Sequence, residues 1–168
     1  ITASHLPFNR NGLKFFTKRG GADHEVITTI LKNASLVEEL KGENLNDKKF
    51  DLIGVYANHL CNKIRKALND GEKPLTGMHI VVDAGNGAGG FFASKVLEPL
   101  GANTSGSQFL EPDGRFPNHI PNPEDSTAMA AIQKAVLENK ADLGLIFDTD
   151  VDRMSAVLSD GKEINRNA

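Results

Sequence analysis

Apolar positions along the chain recur with two different periods, and the change falls near residue 75. From Asp23 to about Leu40, Val26, Ile27, Ile30, Leu31 and Ala34 stand at three- and four-residue steps, which predicts an amphipathic helix. A better marked helix is expected over residues 50–69. There Leu52, Val55, Tyr56, Leu60, Ile64, Ala67 and Leu68 form one apolar face, and Gly71 and Pro74 supply a stop. Residues 42–49 are polar and read as a connector, residues 1–12 as a loop, and Leu13 to Thr17 as a short strand. Beyond residue 75 the apolar residues come in short blocks. His79 to Ala84 predicts a buried parallel strand, Asn103 to Phe109 a second and Leu143 to Phe147 a third. Phe91 to Leu100 is a helix candidate, and Ser126 can cap another that runs to about Asn139. Residues 111–125 hold four prolines and read as loop, and Met154–Leu158 with Lys162–Ile164 as a hairpin turning at Asp160-Gly161. Strand, loop and helix repeated in this way predict an α/β fold: an open mixed sheet with helices on both faces. Ligands on such sheets bind at the C-terminal ends of the strands.

Composition narrows the function classes. The chain has 168 residues, a net charge of −3, 39% hydrophobic and 24% charged residues. These values exclude disorder, collagen-like sequence and low complexity for most of the length, and predict one domain or two small ones. No apolar run is long enough for a spanning helix, so a membrane partner is not expected. The single cysteine, Cys61, excludes an internal disulfide, fits a reducing compartment, and is expected to be buried and inert in its helix. With no tryptophan and one tyrosine, stacking platforms are poorly supplied, and nucleic acid is not expected either. Charge is uneven. Residues 1–75 carry 12 basic and 9 acidic side chains, and residues 76–168 carry 7 and 13. Arg10, Lys14, Lys18 and Arg19, with no acid among the first twenty residues, favour a small anionic ligand at that end.

Three segments could carry chemistry. Asp148-Thr149-Asp150-Val151-Asp152-Arg153 places carboxylates at spacing two directly after a strand. They would repel one another unless a cation sat between them, and hard oxygen ligands suit Mg²⁺ or Ca²⁺. An EF-hand loop would need Gly and Glu where Arg153 and Ser159 stand, so that reading fails. Thr2-Ala3-Ser4-His5-Leu6-Pro7 puts a hydroxyl beside an imidazole, with Arg10 and Lys14 close behind, but it lacks the setting of a hydrolase elbow. Gly85-Asn86-Gly87-Ala88-Gly89-Gly90 matches the G-x-G-x-x-G of dinucleotide-binding domains, after a strand and before a helix. Its rival reading is a tight strand-to-helix turn that needs small residues. Pro117 to Glu124 is a proline-fixed connector on its own evidence.

Taken together, the motifs resemble the α-D-phosphohexomutases: phosphoglucomutase, phosphomannomutase and phosphoglucosamine mutase. Thr2 to Pro7 resembles the family's T-A-S-H-x-P phosphoserine loop, and Asn11-Gly12-Leu13-Lys14 the N-G-x-K that follows it. Asp148 to Arg153 is similar to its D-G-D-x-D-R metal loop, and Phe116 to Glu124 to its F-P-x-H-x-P-N-P-E stretch. His79–Gly90 and Ser105–Phe116 look closest to a plant, plastid branch of phosphoglucosamine mutase-like sequences. The resemblance implies that Ser4 carries a phosphoryl group. It implies that Asp148, Asp150, Asp152 and a phosphate oxygen on Ser4 hold Mg²⁺. His5 and Lys14 become candidates for proton transfer or charge stabilisation, and Arg10 and Arg153 for phosphate binding. The activity implied is the Mg²⁺-dependent interconversion of hexose 1-phosphate and hexose 6-phosphate through a bisphosphorylated sugar.

Two departures stand out. Thr149 occupies the family glycine's place, so the loop is expected to manage without freedom at positive φ, and Val151 adds bulk. Neither the family's G-E-x-S-G-H sugar loop nor its R-x-S-x-T-x-P phosphate loop occurs in the sequence. The expectation is therefore a fragment. Residues 1–48 would be the end of domain 1, with a partial α/β fold, and residues 49–168 domain 2. The partners would be a hexose phosphate, a hexose bisphosphate and the remaining domains, in the cytoplasm or plastid stroma. The alternatives are a dinucleotide-binding domain using Gly85–Gly90 and a non-catalytic homologue acting as an interaction protein.

Overall fold

The computed structural model describes residues 9–37 and 48–164. The chain enters through a tight hairpin, β1 (Phe16–Thr17) and β2 (Gly20–Gly21), with Phe16 opposite Gly21. Only two residues of the expected strand Leu13–Thr17 pair, because the Lys18-Arg19 turn reverses the chain at once and Gly20 closes it at φ 121°. Helix α1 (His24–Ala34) follows, with the Asp23 side chain accepting from the Val26 amide as N-cap. It ends earlier than the apolar period suggests: the Ser35 amide bonds back to Leu31 O, and residues 35–37 are turn. None of its residues is buried.

The core begins with α2 (Leu52–Leu68), capped by the Asp51 carboxylate on the Gly54 amide. Asn69, at φ 50°, ends it through a bond from its amide to Arg65 O, two residues before the expected stop at Gly71. Asparagine tolerates the left-handed conformation that a C-cap requires. The sheet has three strands in the order β3 (Ile80–Asp83), β4 (Leu143–Phe147) and β5 (Met154–Leu158). β3 and β4 are parallel, with Val82 opposite Leu145; β4 and β5 are antiparallel, with Leu145 opposite Ala156. A second helix of the core, α3 (Ser126–Asn139), is capped by Asp125, whose carboxylate takes the Thr127 and Ala128 amides. Ser126, the expected cap, is therefore the first helical residue. Asp125 wins because its charge also complements the positive end of the helix.

Side-chain alternation places the two helical layers. Ile80, Val82, Leu145 and Phe147 pack with Ala57, Cys61 and the segment 91–102 on one face. Val81, Ile146 and Val157 pack with Ala128, Ile132, Ala135 and Val136 of α3 on the other. The sheet is thus mixed and covered by helices on both faces, as the sequence pattern predicts. Cys61 is buried against the Lys95 and Val96 carbonyls, as expected of an inert core thiol. Gly144 shows how closely α3 lies on the sheet, because a Cβ there would come within 3.0 Å of Ile132 Cγ1. Gly144→Ala should lower stability by about 1–3 kcal/mol through overpacking, measured by chemical denaturation.

Two expected elements are irregular. Phe91 to Leu100 continues from a 3₁₀ turn (Ala88–Gly90) into a π-helical turn (Ala93–Leu97) and a 3₁₀ turn (Glu98–Leu100). Pro99 lacks the amide that a regular last turn would donate. Asn103 to Phe109 meets β3 only at two parallel bridges, His79–Asn103 and Asp83–Gln108. Between them Thr104 to Ser107 form a turn, with Gly106 at φ 85°, and Ser107 Oγ accepts the Val82 amide where a strand would offer a carbonyl. At the other edge Lys162 to Ile164 returns along β5, with the Leu158 amide bonded to Lys162 O and the Ile164 amide to Ala156 O. No helix among the described residues is long and apolar enough to cross a membrane.

Candidate metal centre and its support

The parallel strands β3 and β4 end on the same side, and each runs directly into a functional-looking loop. β4 delivers Asp148, which is fully buried. Its Oδ1 accepts the Arg153 amide at 3.0 Å and its Oδ2 the Arg153 Nε at 3.1 Å, while its own amide donates to Arg153 O. Asp148 and Arg153 thus pin the two ends of the loop together. Arg153 Nη1 also reaches Asn122 Oδ1 at 3.4 Å, which ties the loop to the proline-rich connector. Asp150 and Asp152 are exposed on the loop between.

One carboxylate oxygen from each of Asp148, Asp150 and Asp152 lies within 4.8 Å of the others. Two metal–oxygen bonds of about 2.1–2.6 Å span such a separation, so a single hard divalent cation fits with little adjustment. The electrostatics point the same way. A hydrogen bond with Asp148, then the charges of Asp148 and Asp150, push the Asp152 carboxyl above the usual carboxylate range. Thr149 Oγ1 is buried in the same loop and makes no hydrogen bond. An unpaired buried hydroxyl costs about 1–3 kcal/mol, so the loop is arranged at some expense of stability.

Thr149 does not need a glycine's freedom at positive φ. The left-handed position is Val151 instead, at φ 67°. For a β-branched residue this is strained, worth about 1–3 kcal/mol. Val151 is held there by packing against the core that contains Leu145 and Phe147.

The glycine turn after β3 supports this loop from below. A Cβ on Gly87 would lie 2.8 Å from Thr149 O, and one on Gly89 2.9 Å from Phe147 Cδ2. On Gly90 it would overlap Leu110 O. The Ala88 amide donates to Thr149 O at 2.9 Å. The chain's own atoms fill the space beside Gly87, Gly89 and Gly90, which supports the reading of a tight strand-to-helix turn that needs small residues.

Of the sequence-derived site residues, the structure brings together Asp148, Asp150, Asp152 and Arg153. Arg10 and Lys14 are exposed in the segment before β1. Ser4 and His5 lie outside the described residues. A feature not anticipated is the buried pair Asp83–His119, 3.0 Å apart, which also engages Gln108. Its signal was present: an acid closing the run Ile80-Val81-Val82, and a histidine fixed between prolines 117 and 121.

The family description for phosphoglucomutase/phosphomannomutase, alpha/beta/alpha domain II, matches residues 54–161. This chain belongs to the phosphoglucomutase/phosphomannomutase family. A phosphoglucomutase of Neisseria meningitidis serogroup A is 36% identical over 168 residues, covering 98% of the chain and 34% of the relative. A phosphoglucosamine mutase of a Sulfurovum species is 33% identical over 178 residues, covering 98% of the chain and 37% of the relative. A structure from Thermus thermophilus, described as a phosphomannomutase, superposes with a TM-score of 0.66 at 24% identity. The match covers 98% of this chain and 37% of that one, and supports the fold. The chain thus spans about a third of the length of these members of the phosphoglucomutase/phosphomannomutase family.

Proposed function

We propose that this chain carries the phosphoryl-accepting serine and the metal centre of a phosphohexomutase that interconverts hexose 1-phosphate and hexose 6-phosphate. The observation that carries the proposal is the convergence of Asp148, Asp150 and Asp152 after β4, in a chain of this family. Those carboxylates, with a phosphate oxygen on Ser4, would hold Mg²⁺. The bound ion would draw charge from the transferring phosphoryl group. Ser4 Oγ would give its phosphoryl to a free sugar hydroxyl, breaking one P–O bond as the other forms, and would take the second phosphate back from the bisphosphorylated sugar. His5 and Lys14 would move the hydroxyl proton or balance charge on the phosphoryl oxygens. Arg10 and Arg153 would hold phosphate. Residues 1–48 would close domain 1, and residues 49–168 form domain 2. The remaining domains of the longer enzyme would present the sugar, in the cytoplasm or plastid stroma.

The test is incubation of the 168-residue chain with glucose 1,6-bisphosphate and Mg²⁺, read by intact mass. One added phosphoryl group is expected, and Ser4→Ala should abolish it. Phosphate on another residue would overturn the serine assignment, and none on the unsubstituted chain would favour a non-catalytic homologue. Steady conversion of glucose 1-phosphate is expected to be absent from this chain alone. Phosphoryl transfer depends on positioning, and the motifs that would hold the far end of the sugar are not in the sequence.

A further inference from the structure

The strongest unassigned feature is the buried polar network under the glycine turn. The side chain of His119 is 2% exposed and that of Asp83 0%. His119 Nε2 lies 3.0 and 3.1 Å from the two Asp83 oxygens, and Nδ1 lies 3.0 Å from Ile120 O. Both ring nitrogens therefore face acceptors. A neutral imidazole has one N–H and would set a lone pair against an acceptor, whereas an imidazolium satisfies both contacts.

The network leads to the metal loop in short steps. Asp83 also accepts from Gln108 Nε2 and from the Gly85 amide, each at 2.8 Å. Gly85, at φ 53°, is pressed against the His119 segment: a Cβ there would lie 2.8 Å from Pro121 Cβ and 3.0 Å from His119 Cε1. Asn86, at φ 61°, is held by the Phe109 carbonyl, the Glu111 carbonyl and Asn118 Nδ2. Gly87 and Ala88 then meet Thr149, which stands between two of the three carboxylates.

We propose that His119 is a positioning residue for the acidic loop: its imidazolium locks the Gly85–Gly90 turn against Thr149, and loss of its proton loosens the loop and weakens its hold on a divalent cation. The second half rests on the metal-centre reading above; the first does not. Burial opposes the charge on His119, but the Asp83 hydrogen bond, the Ile120 carbonyl and the charges of Asp83 and Asp125 outweigh it and raise its pKa above the ordinary value. The charged groups acting on the ring are thus both acids, Asp83 on β3 and Asp125 at the start of α3; the Phe109 ring packs edge-on and is uncharged. A histidine with a raised pKa in the folded state contributes stability that is complete below its unfolded value. That contribution is lost as pH rises through the folded value.

The experiment is a pH titration of the ¹⁵N-labelled 168-residue chain from about pH 6 to 9, following the His119 ring and the amides of Ala88 and Thr149 by NMR. The amides are expected to move with the midpoint of the ring, above about 6.5. Calorimetry with Mg²⁺ over the same range should show affinity falling by about tenfold through that midpoint, the size typical of an outer partner's loss. His119→Gln should bind as the deprotonated chain does, with no step. Loop amides that ignore the ring, or a ring neutral throughout, would overturn the proposal without any variant. Amides that follow the ring in a chain binding no Mg²⁺ would sustain the lock and overturn the metal reading. Equal Mg²⁺ affinity on both sides of the midpoint would overturn the link between them.

Discussion

Replacing Asp150 with Asn is expected to weaken Mg²⁺ binding by about 10–100-fold, measured by calorimetry. The substitution keeps the shape of an exposed side chain but removes one of three charges, and Mg²⁺ surrenders its waters reluctantly to neutral ligands. The comparison figure is the loss caused by removing an outer partner, and a direct ligand should match or exceed it. Thermal unfolding gives an independent readout. Mg²⁺ at about 100 times its dissociation constant stabilises the unsubstituted chain by about 2.7 kcal/mol. For a chain of this size that is about 5–10 °C in Tm. At the same concentration Asp150→Asn should gain only about 0.4–1.4 kcal/mol. Removing the ion with a chelator should return both forms to similar midpoints. Equal affinity in the two forms would mean that the loop is not a metal site. Asp150 discriminates better than Asp148, which is buried and holds Arg153, so that its loss would disturb the fold as well as the ligand set.

The second large effect concerns stability. Gly90→Ala should cost at least about 3 kcal/mol, a fall of roughly 6–12 °C in Tm. The new Cβ would overlap the Leu110 carbonyl, and neither backbone can step aside without disturbing the neighbouring turn. Gly77→Ala is the matched control. Gly77 has φ 88° and open space around it, so only the conformational penalty of about 1–2 kcal/mol applies. Similar losses at the two positions would mean that the turn can relax away from its neighbours. In that case the close packing would not be what demands glycine there.

Some elements of the molecule can be read from the chain itself and others cannot. The strand Leu143–Phe147 and the helix Leu52–Leu68 were legible because a compact apolar block and a clean apolar stripe each admit few other structures. The acidic loop was legible for the same kind of reason, since alternating carboxylates after a strand have few uses. What could not be read depends on contacts distant in sequence. Nothing local says that Ser107 will stand in for a strand carbonyl, or that Val151 rather than Thr149 will take the left-handed position. The Asp83–His119 pair spans 36 residues, and the sequence offers each partner as an isolated polar group. The N-terminal reading on Ser4 and His5 lies outside the described residues and rests on motif resemblance.

The β3 flank of the sheet has a further consequence for assembly. The outward side of β3 is covered by residues 103–108, which meet it at two bridges separated by a turn and so do not act as a full strand. Exposed ladders are where protein chains recruit one another into continuous sheets and fibrils, and short or interrupted borders suppress that. Among the described residues, a neighbour, whether another domain or a second molecule, therefore finds no continuous ladder on the β3 side for adding a strand in register. On that side it would be recognised through side chains of the loops and helices, where shape and charge discriminate between partners more finely than repeating amides do.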